Sequence, residues 1–414
     1  MNIKWLFYLF CVFGIESNAQ ISDFRYYVDT LSSPYFSGRG YVEEGHLKAA
    51  KFLAEEFNEI GLKSIEKNNY LQEFPIDVNT FPYEINLSCS GQELIPGIDY
   101  LIEPSSGSLS GNFKIIPITF DNLLNAISDF KENNSSSILL INASKVDNKD
   151  TLSLYNELKM ELSNIGPVIW LINSKLTWSV SDYELKYPVI QILSSVMDDN
   201  CKNIEVNIEN VMRNSLMTNN VIGKIEGRKK KTLVLTAHYD HLGMMGSTLF
   251  PGANDNASGV SLLLNLAKYY TTIKCKYNMV FICFGAEETG LKGSKYFIEH
   301  PLIDLEKIKF LLNLDIVGTG GDGIALVNAK DQQKIQRKII KINSKNGGFD
   351  KVKIRGQAPN SDHYWFSQKG VSALFLYTLG GISAYHDPMD ISSTLPLTKM
   401  DQLFDLIVKV LDEI

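Results

Sequence analysis

Two hydrophobic patterns divide this chain. From Asn220 onward, the continuous apolar runs TLVLTA, MVFICFG, KFLLNLD and GVSALFL are separated by helix-period segments such as SGVSLLLNLAKYY and LKGSKYFIEH. Runs apolar on both faces, alternating with amphipathic helices, predict a mainly parallel sheet covered on both sides. Between Tyr70 and Asn219 the pattern changes to short alternating runs, YEINLSC, FKIIPITF, SILLINA, PVIWLIN and PVIQIL, broken by Asn, Ser, Gly and Asp turns. That segment predicts a strand-rich insertion. Ahead of it, HLKAAKFLAEEFNEIGL sets Leu47, Ala50, Phe52, Leu53, Phe57 and Leu62 near helical spacing, with Gly61 as a stop. The expected architecture is α/β: a three-layer α/β/α domain with a mainly parallel mixed sheet, built from residues 20–69 and 220–414, plus a β-rich inserted domain at 70–219.

The first residues, MNIKWLFYLFCVFGIESNAQ, break both patterns: basic Lys4, an apolar run too short to span a bilayer, and the small-residue sequence Ser17-Asn18-Ala19. They read as a secretory signal peptide spanning residues 1–19, which makes the mature protein exported, to the periplasm or the medium, without stable membrane insertion. Cys11 lacks the small preceding residue of a lipid-anchoring signal. The 414-residue chain, 44% hydrophobic and 21% charged, has ordinary globular composition. A net charge of −7 argues against nucleic acid as a partner, and the basic run Arg228–Lys231 reads as a solvated loop before a strand. Cys283, inside an apolar run, reads as a core residue, whereas the spacing of Cys89 and Cys201 leaves their pairing open.

Composition says nothing of chemistry; the ends of the apolar runs do. Ligands of open α/β sheets bind beyond the carboxyl ends of the strands. There TLVLTA leads to His238 and Asp240, MVFICFGA to Glu287 and Glu288, KFLLNL to Asp315, and the final run through TLGGISAYHDPMD to His386; Asp255 in PGANDNASG precedes a helix. Each is bland alone: Asp255 is an ordinary helix cap, and a strand-end histidine is more often structural than a ligand. Together, two His, two Asp and one Glu form an N/O donor set suited to zinc, large enough for two ions if one carboxylate bridges. On extended backbone, Glu287 and Glu288 would point oppositely, one toward metal and the other toward proton transfer.

The ordered series AHYDHLG, GANDNASGV, FGAEETGLKGS, NLDIVG, SDHYWF and YHDPMD, with the early SGRG and HLKAAKFLAEEF, resembles the family twenty-eight zinc metallopeptidases, which include secreted aminopeptidases and glutamate carboxypeptidases. The resemblance implies a zinc-peptidase domain carrying two Zn2+: His238, Asp255 and Asp315 on one, Asp255, Glu288 and His386 on the other. It implies Glu287 as general base, Asp240 as the carboxylate orienting His238, Tyr385 as an oxyanion donor, and a protease-associated-like identity for the insertion. Asp387 departs from the threonine common after the last histidine, and His241 and His363 match no ligand position.

The expected activity is hydrolysis of N-terminal residues from peptides with a free N-terminus. Three other readings share the scaffold: a carboxypeptidase, for which Arg355 is the nearest candidate anion binder, a one-zinc glutaminyl cyclase, and a non-catalytic binding protein.

Overall fold

The computed structural model describes residues 23–65, 69–132, 136–197, 200–346 and 348–414; the apolar run read as a signal peptide lies outside them. A nine-stranded sheet runs in the order Lys63–Ser64, Val211–Ile225, Tyr277–Phe284, Lys229–His238, Ile308–Leu314, Ala373–Leu379, Gly323–Val327, Val352–Ile354, with Leu71–Thr80 also paired to Val211–Ile225. Four adjacent strands, Tyr277–Phe284, Lys229–His238, Ile308–Leu314 and Ala373–Leu379, are mutually parallel. Their residues are almost continuously buried, as expected of strands covered on both faces.

One covering helix is Gly45–Ile60, which buries Ala49, Ala50, Leu53 and Phe57 and ends where Gly61, at φ 85°, donates its N–H back to Asn58 and Phe57. That left-handed cap is natural for glycine. Burying Leu53 or Phe57 contributes about 1.5–3 kcal/mol each. Helices Ser258–Thr271 and Met400–Glu413 join the same core, through Leu262, Leu266, Leu403 and Ile407. On the opposite face Val234, Ile282 and Leu311 pack with Phe297 and Phe366, completing three layers.

The inserted segment forms an eight-stranded sheet in the order Gln92–Leu94, Asn86–Cys89, Asn203–Ile208, Leu109–Ile118, Ser137–Asn142, Val168–Ile172, Val189–Leu193, Tyr100–Ile102. It is less purely β than its alternating runs suggest, because helices Leu123–Glu132 and Lys149–Ser163 cover one face through Ala126, Phe130 and Leu162. Asn148, whose side chain accepts the Thr151 N–H, starts the second of these. The other face packs on the larger domain, Ile102, Ile190 and Trp178 meeting Leu242, Met245 and Phe250. A disulfide joins Cys89 to Cys201. Cys283 is buried and free, as its apolar setting suggests. The basic run differs from expectation: Lys229–Lys231 begin a strand, although all three remain exposed.

Among the described residues, no helix is long and apolar enough to cross a membrane.

Candidate metal and active site

Strand register decides which side chains emerge together. Thr236 pairs with Asn313 in the parallel ladder, so His238 and Asp315, each two residues further on, leave the sheet at one level. His238 Nε2 stands 3.2 Å from Asp315 Oδ1 and 3.2 Å from Asp255 Oδ1. The other Asp255 oxygen, Oδ2, is 3.2 Å from His386 Nε2, which is also 3.3 Å from Glu288 Oε2. Asp255 thus turns one carboxylate oxygen to each histidine, which is the disposition a bridging ligand needs. Carboxylate oxygens of Glu287 and Asp315 and a ring nitrogen of His238 also lie within 4.8 Å of one another.

Glu287 and Glu288 do not extend the strand. Tyr277–Phe284 ends three residues before Glu287, Ala286 adopts left-handed backbone at φ 57°, and both glutamates sit in the following turn. Their separation therefore comes from a turn and not from strand alternation. Ile316 and His386 are left-handed as well, at φ 55° and 52°. Such backbone is uncommon for residues with a Cβ and concentrates where side chains are re-aimed at a site.

The two glutamates are driven apart electrostatically. Withdrawal from water, reinforced by Glu288, Asp315 and Asp362, raises Glu287 well above the usual carboxylate range despite the proximity of His238. Glu288 is also withdrawn from water, but His386 and His241 outweigh that effect and bring it down to about 2. Paired carboxyl groups with opposed shifts are the mark of divided roles. Burial lowers the tendency of His238 and His386 to hold a proton, yet the surrounding carboxylates prevail and raise both, His386 to about 11. A pocket this negative, made of imidazole and carboxylate donors, fits a divalent cation in place of those protons.

The histidines are aimed by carbonyls. His238 Nδ1 lies 3.1 Å from the Asp240 backbone oxygen, and His386 Nδ1 lies 2.8 Å from that of Trp178 in the inserted domain. Each Nδ1–H must donate there, which leaves Nε2 as the nitrogen that faces the carboxylates and would face a metal ion that displaced its proton. The Asp240 carboxylate, expected to orient His238, is 3.9 Å from Nδ1. It instead accepts the backbone N–H groups of Glu287 and Glu288 at 3.1 and 3.3 Å. Asp240 thus shapes the glutamate turn with its side chain and aims His238 with its main chain.

Several supports lie inside the quoted motifs but had no role assigned from the sequence. Arg39, in SGRG, is wholly buried and donates to the carbonyls of Leu31, Tyr239, Pro251 and Gly252 beneath the Asp255 loop. Burial lowers its pKa only to about 10, so it stays charged. Asp390 accepts the N–H groups of Asn254 and Asp255 at 2.9 and 3.0 Å. Ser361 donates to Asp315 Oδ2 at 2.8 Å and is itself held by Asn313. His241, which matched no ligand position, contacts Glu288 Oε1 through Nδ1 at 2.8 Å. Asp362 is buried near His238 and pushed up to about 7, chiefly by that burial.

Tyr385 stacks on the His386 ring, centroids 4.0 Å apart, and is 46% exposed. Arg355 is engaged elsewhere, donating to the Tyr377 hydroxyl at 3.0 Å. A cavity of about 330 Å³ adjoins the site, lined by Glu288, Thr289 and Gly290 on one side and by Glu103, Ser181 and Tyr183 of the inserted domain on the other. A larger one, about 800 Å³, is lined by Lys309, Gln332, Lys338 and neighbours and by none of the clustered ligands; titratable chemistry, not size, locates the site.

Residues 220–411 match Peptidase family M28. Aminopeptidase YwaD of Bacillus subtilis (strain 168) is 26% identical over 361 residues, covering 83% of this chain and 77% of that protein. The structure of BSAP, a zinc aminopeptidase from Bacillus subtilis, superposes with a TM-score of 0.70 at 22% identity over 95% of this chain and 94% of that one. A Peptidase M28 precursor from Shewanella amazonensis superposes with a TM-score of 0.69 at 16% identity, covering 94% and 92%. At those identities the two structures establish the fold, inserted domain included.

Proposed function

We propose that this chain, which belongs to Peptidase family M28 through residues 220–411, is a di-zinc aminopeptidase that removes N-terminal residues from peptides. The observation that carries the reading is the Asp255 carboxylate divided between His238 and His386. His238, Asp255 and Asp315 would hold one ion; Asp255, Glu288 and His386 would hold the other. When bound, two zinc ions supply Lewis acidity toward a carbonyl oxygen and lower the pKa of water.

The remaining chemistry belongs to the chain. Glu287, whose carboxyl group is raised well above the usual carboxylate range by burial, takes a proton from the attacking water and returns it to the departing amine. Glu288, held ionised beside two histidines, serves as ligand. The Tyr385 phenol, raised by partial withdrawal from water and by the carboxylates of Asp255 and Glu288, donates to the oxyanion that develops on the scissile carbonyl. Likeness to aminopeptidase YwaD supports the choice of exopeptidase. Export accords with the Cys89–Cys201 disulfide, a bond that persists in oxidising compartments.

The test offers zinc-loaded protein short peptides with free and with acetylated N-termini and follows products by mass. Loss of one residue from the free peptides only is expected. Cleavage of the acetylated peptides contradicts the reading, as does loss of ammonia or water confined to N-terminal Gln or Glu, the outcome for a cyclase.

A further inference from the structure

One short segment of the inserted domain reaches the loop that carries His386. Strand Val168–Ile172 ends, and within the next few residues the chain passes Lys175 and Trp178. Trp178 and His386 exchange two hydrogen bonds: the Trp178 N–H donates to the His386 carbonyl at 2.9 Å, and the His386 ring donates to the Trp178 carbonyl at 2.8 Å. Trp178 is itself fixed, its indole stacked on Phe250 at 4.7 Å and its Nε1–H donating to Ile102 at 2.8 Å.

Lys175 completes the connection. Its ammonium group donates to the carbonyls of Ser383 and Tyr385 at 2.6 and 3.2 Å and pairs closely with the Asp387 carboxylate. That carboxylate in turn accepts the N–H groups of Tyr385 and Met389 at 3.2 and 2.7 Å. Asp387 is thus the internal hub of the loop carrying His386, and Lys175 is the point where the loop is anchored to another domain. The need for an anchor is local: His386 occupies left-handed backbone at φ 52°, which a Cβ-bearing residue keeps only when its surroundings enforce it. Asp387, where threonine is common, has a reason here, because only a carboxylate can pair with the cation.

We propose that Lys175 is a positioning residue of the metal site, and that the inserted domain acts through it, Asp387 and Trp178 to hold His386 in register with Asp255 and Glu288. The inference rests on the di-zinc reading for what His386 binds, but not for how the loop is held. An exposed ion pair alone contributes little; this cation also satisfies two carbonyls beside a ligand, and outer contacts of that kind change metal affinity by roughly 10- to 100-fold.

The test uses the full chain with Lys175→Met, Lys175→Arg and the wild type. Zinc titration against a chromophoric chelator, hydrogen exchange over residues 380–390 and steady-state kinetics are compared. In Lys175→Met one of the two zinc ions should bind roughly 10- to 100-fold more weakly while the other is unchanged. Exchange across 380–390 should quicken, kcat should fall with KM nearly constant, and Lys175→Arg should restore all three. Unchanged zinc binding with unchanged exchange in Lys175→Met overturns the proposal, as does equal weakening of both ions with exchange quickened throughout the chain. If the wild type takes up fewer than two zinc ions, the di-zinc reading fails; the anchor then stands or falls on whether exchange over 380–390 quickens in Lys175→Met.

Discussion

The catalytic sheet and the inserted sheet each contain four adjacent parallel strands, yet what those strands deliver differs. In the catalytic sheet their carboxyl ends lead to His238, to Glu287 and Glu288, to Asp315 and to His386. In the inserted sheet, Leu109–Ile118, Ser137–Asn142, Val168–Ile172 and Val189–Leu193 lead into Thr119, Ala143, Asn173 and Ser194. Polar groups at these latter ends are satisfied locally: Asn142 accepts the Ser144 N–H and hydroxyl at 3.0 and 2.6 Å. The catalytic ends place like charges together and depend on distant help, from Arg39, Asp390, Ser361 and Trp178. A parallel-strand terminus offers a location; buried charge with external support makes it a site.

The comparison breaks most severely if Asp255 can be dispensed with. On the proposed two-zinc arrangement, Asp255→Ala takes a ligand from both ions, so zinc stoichiometry should fall and turnover should drop by more than roughly 10³-fold, measured by metal analysis and peptide hydrolysis. Next in size is the inserted side. Cys89→Ser opens a link between residues 112 apart and should reduce stability by about 2–5 kcal/mol, read by denaturant unfolding, with the loss concentrated in the inserted domain.

A third prediction concerns pH. Burial brings the His363 imidazole down to about 4, whereas an unfolded histidine takes its proton near 6.5. Between these values the unfolded state binds the additional proton, so stability is complete above about 6.5 and declines as pH falls to about 4, by up to about 3 kcal/mol. His363→Phe should remove that part of the decline, which unfolding curves at several pH values will measure. The smallest effects sharpen the contrast between strand ends. Ser361→Ala, which frees Asp315 Oδ2, should weaken zinc by roughly 10- to 100-fold; Asn142→Ala at an inserted strand end should leave both zinc binding and turnover unaltered, as paired chelator titrations and assays will report.

Much of the catalytic side was legible because its chemistry is written in contiguous runs. A strand apolar on both faces that ends at or beside His238 or Asp315, or runs within a few residues to Glu288, combines a position in the fold with a donor, and the six motifs in order narrowed the family. The helix Gly45–Ile60 was equally plain from its periodicity and Gly61. What stayed hidden depends on tertiary approach. Lys175 and Trp178 were not singled out, and nothing local ties them to Ser383 or His386 more than 200 positions away. Arg39 becomes significant only when Leu31, Tyr239, Pro251 and Gly252 converge on it. The helix Lys149–Ser163 was passed over because strand-like runs on either side dominated that region. Glu287 and Glu288 were singled out together, but the expectation of strand alternation missed the left-handed Ala286 that turns the chain before them.

The most direct measurement pairs Glu287→Gln with Glu288→Gln and determines zinc content and turnover for each. Divided roles predict that Glu287→Gln keeps two zinc ions and loses roughly 10²- to 10⁴-fold in kcat, whereas Glu288→Gln loses one ion. Equal metal loss in both variants, or near-normal turnover in Glu287→Gln, would contradict the account.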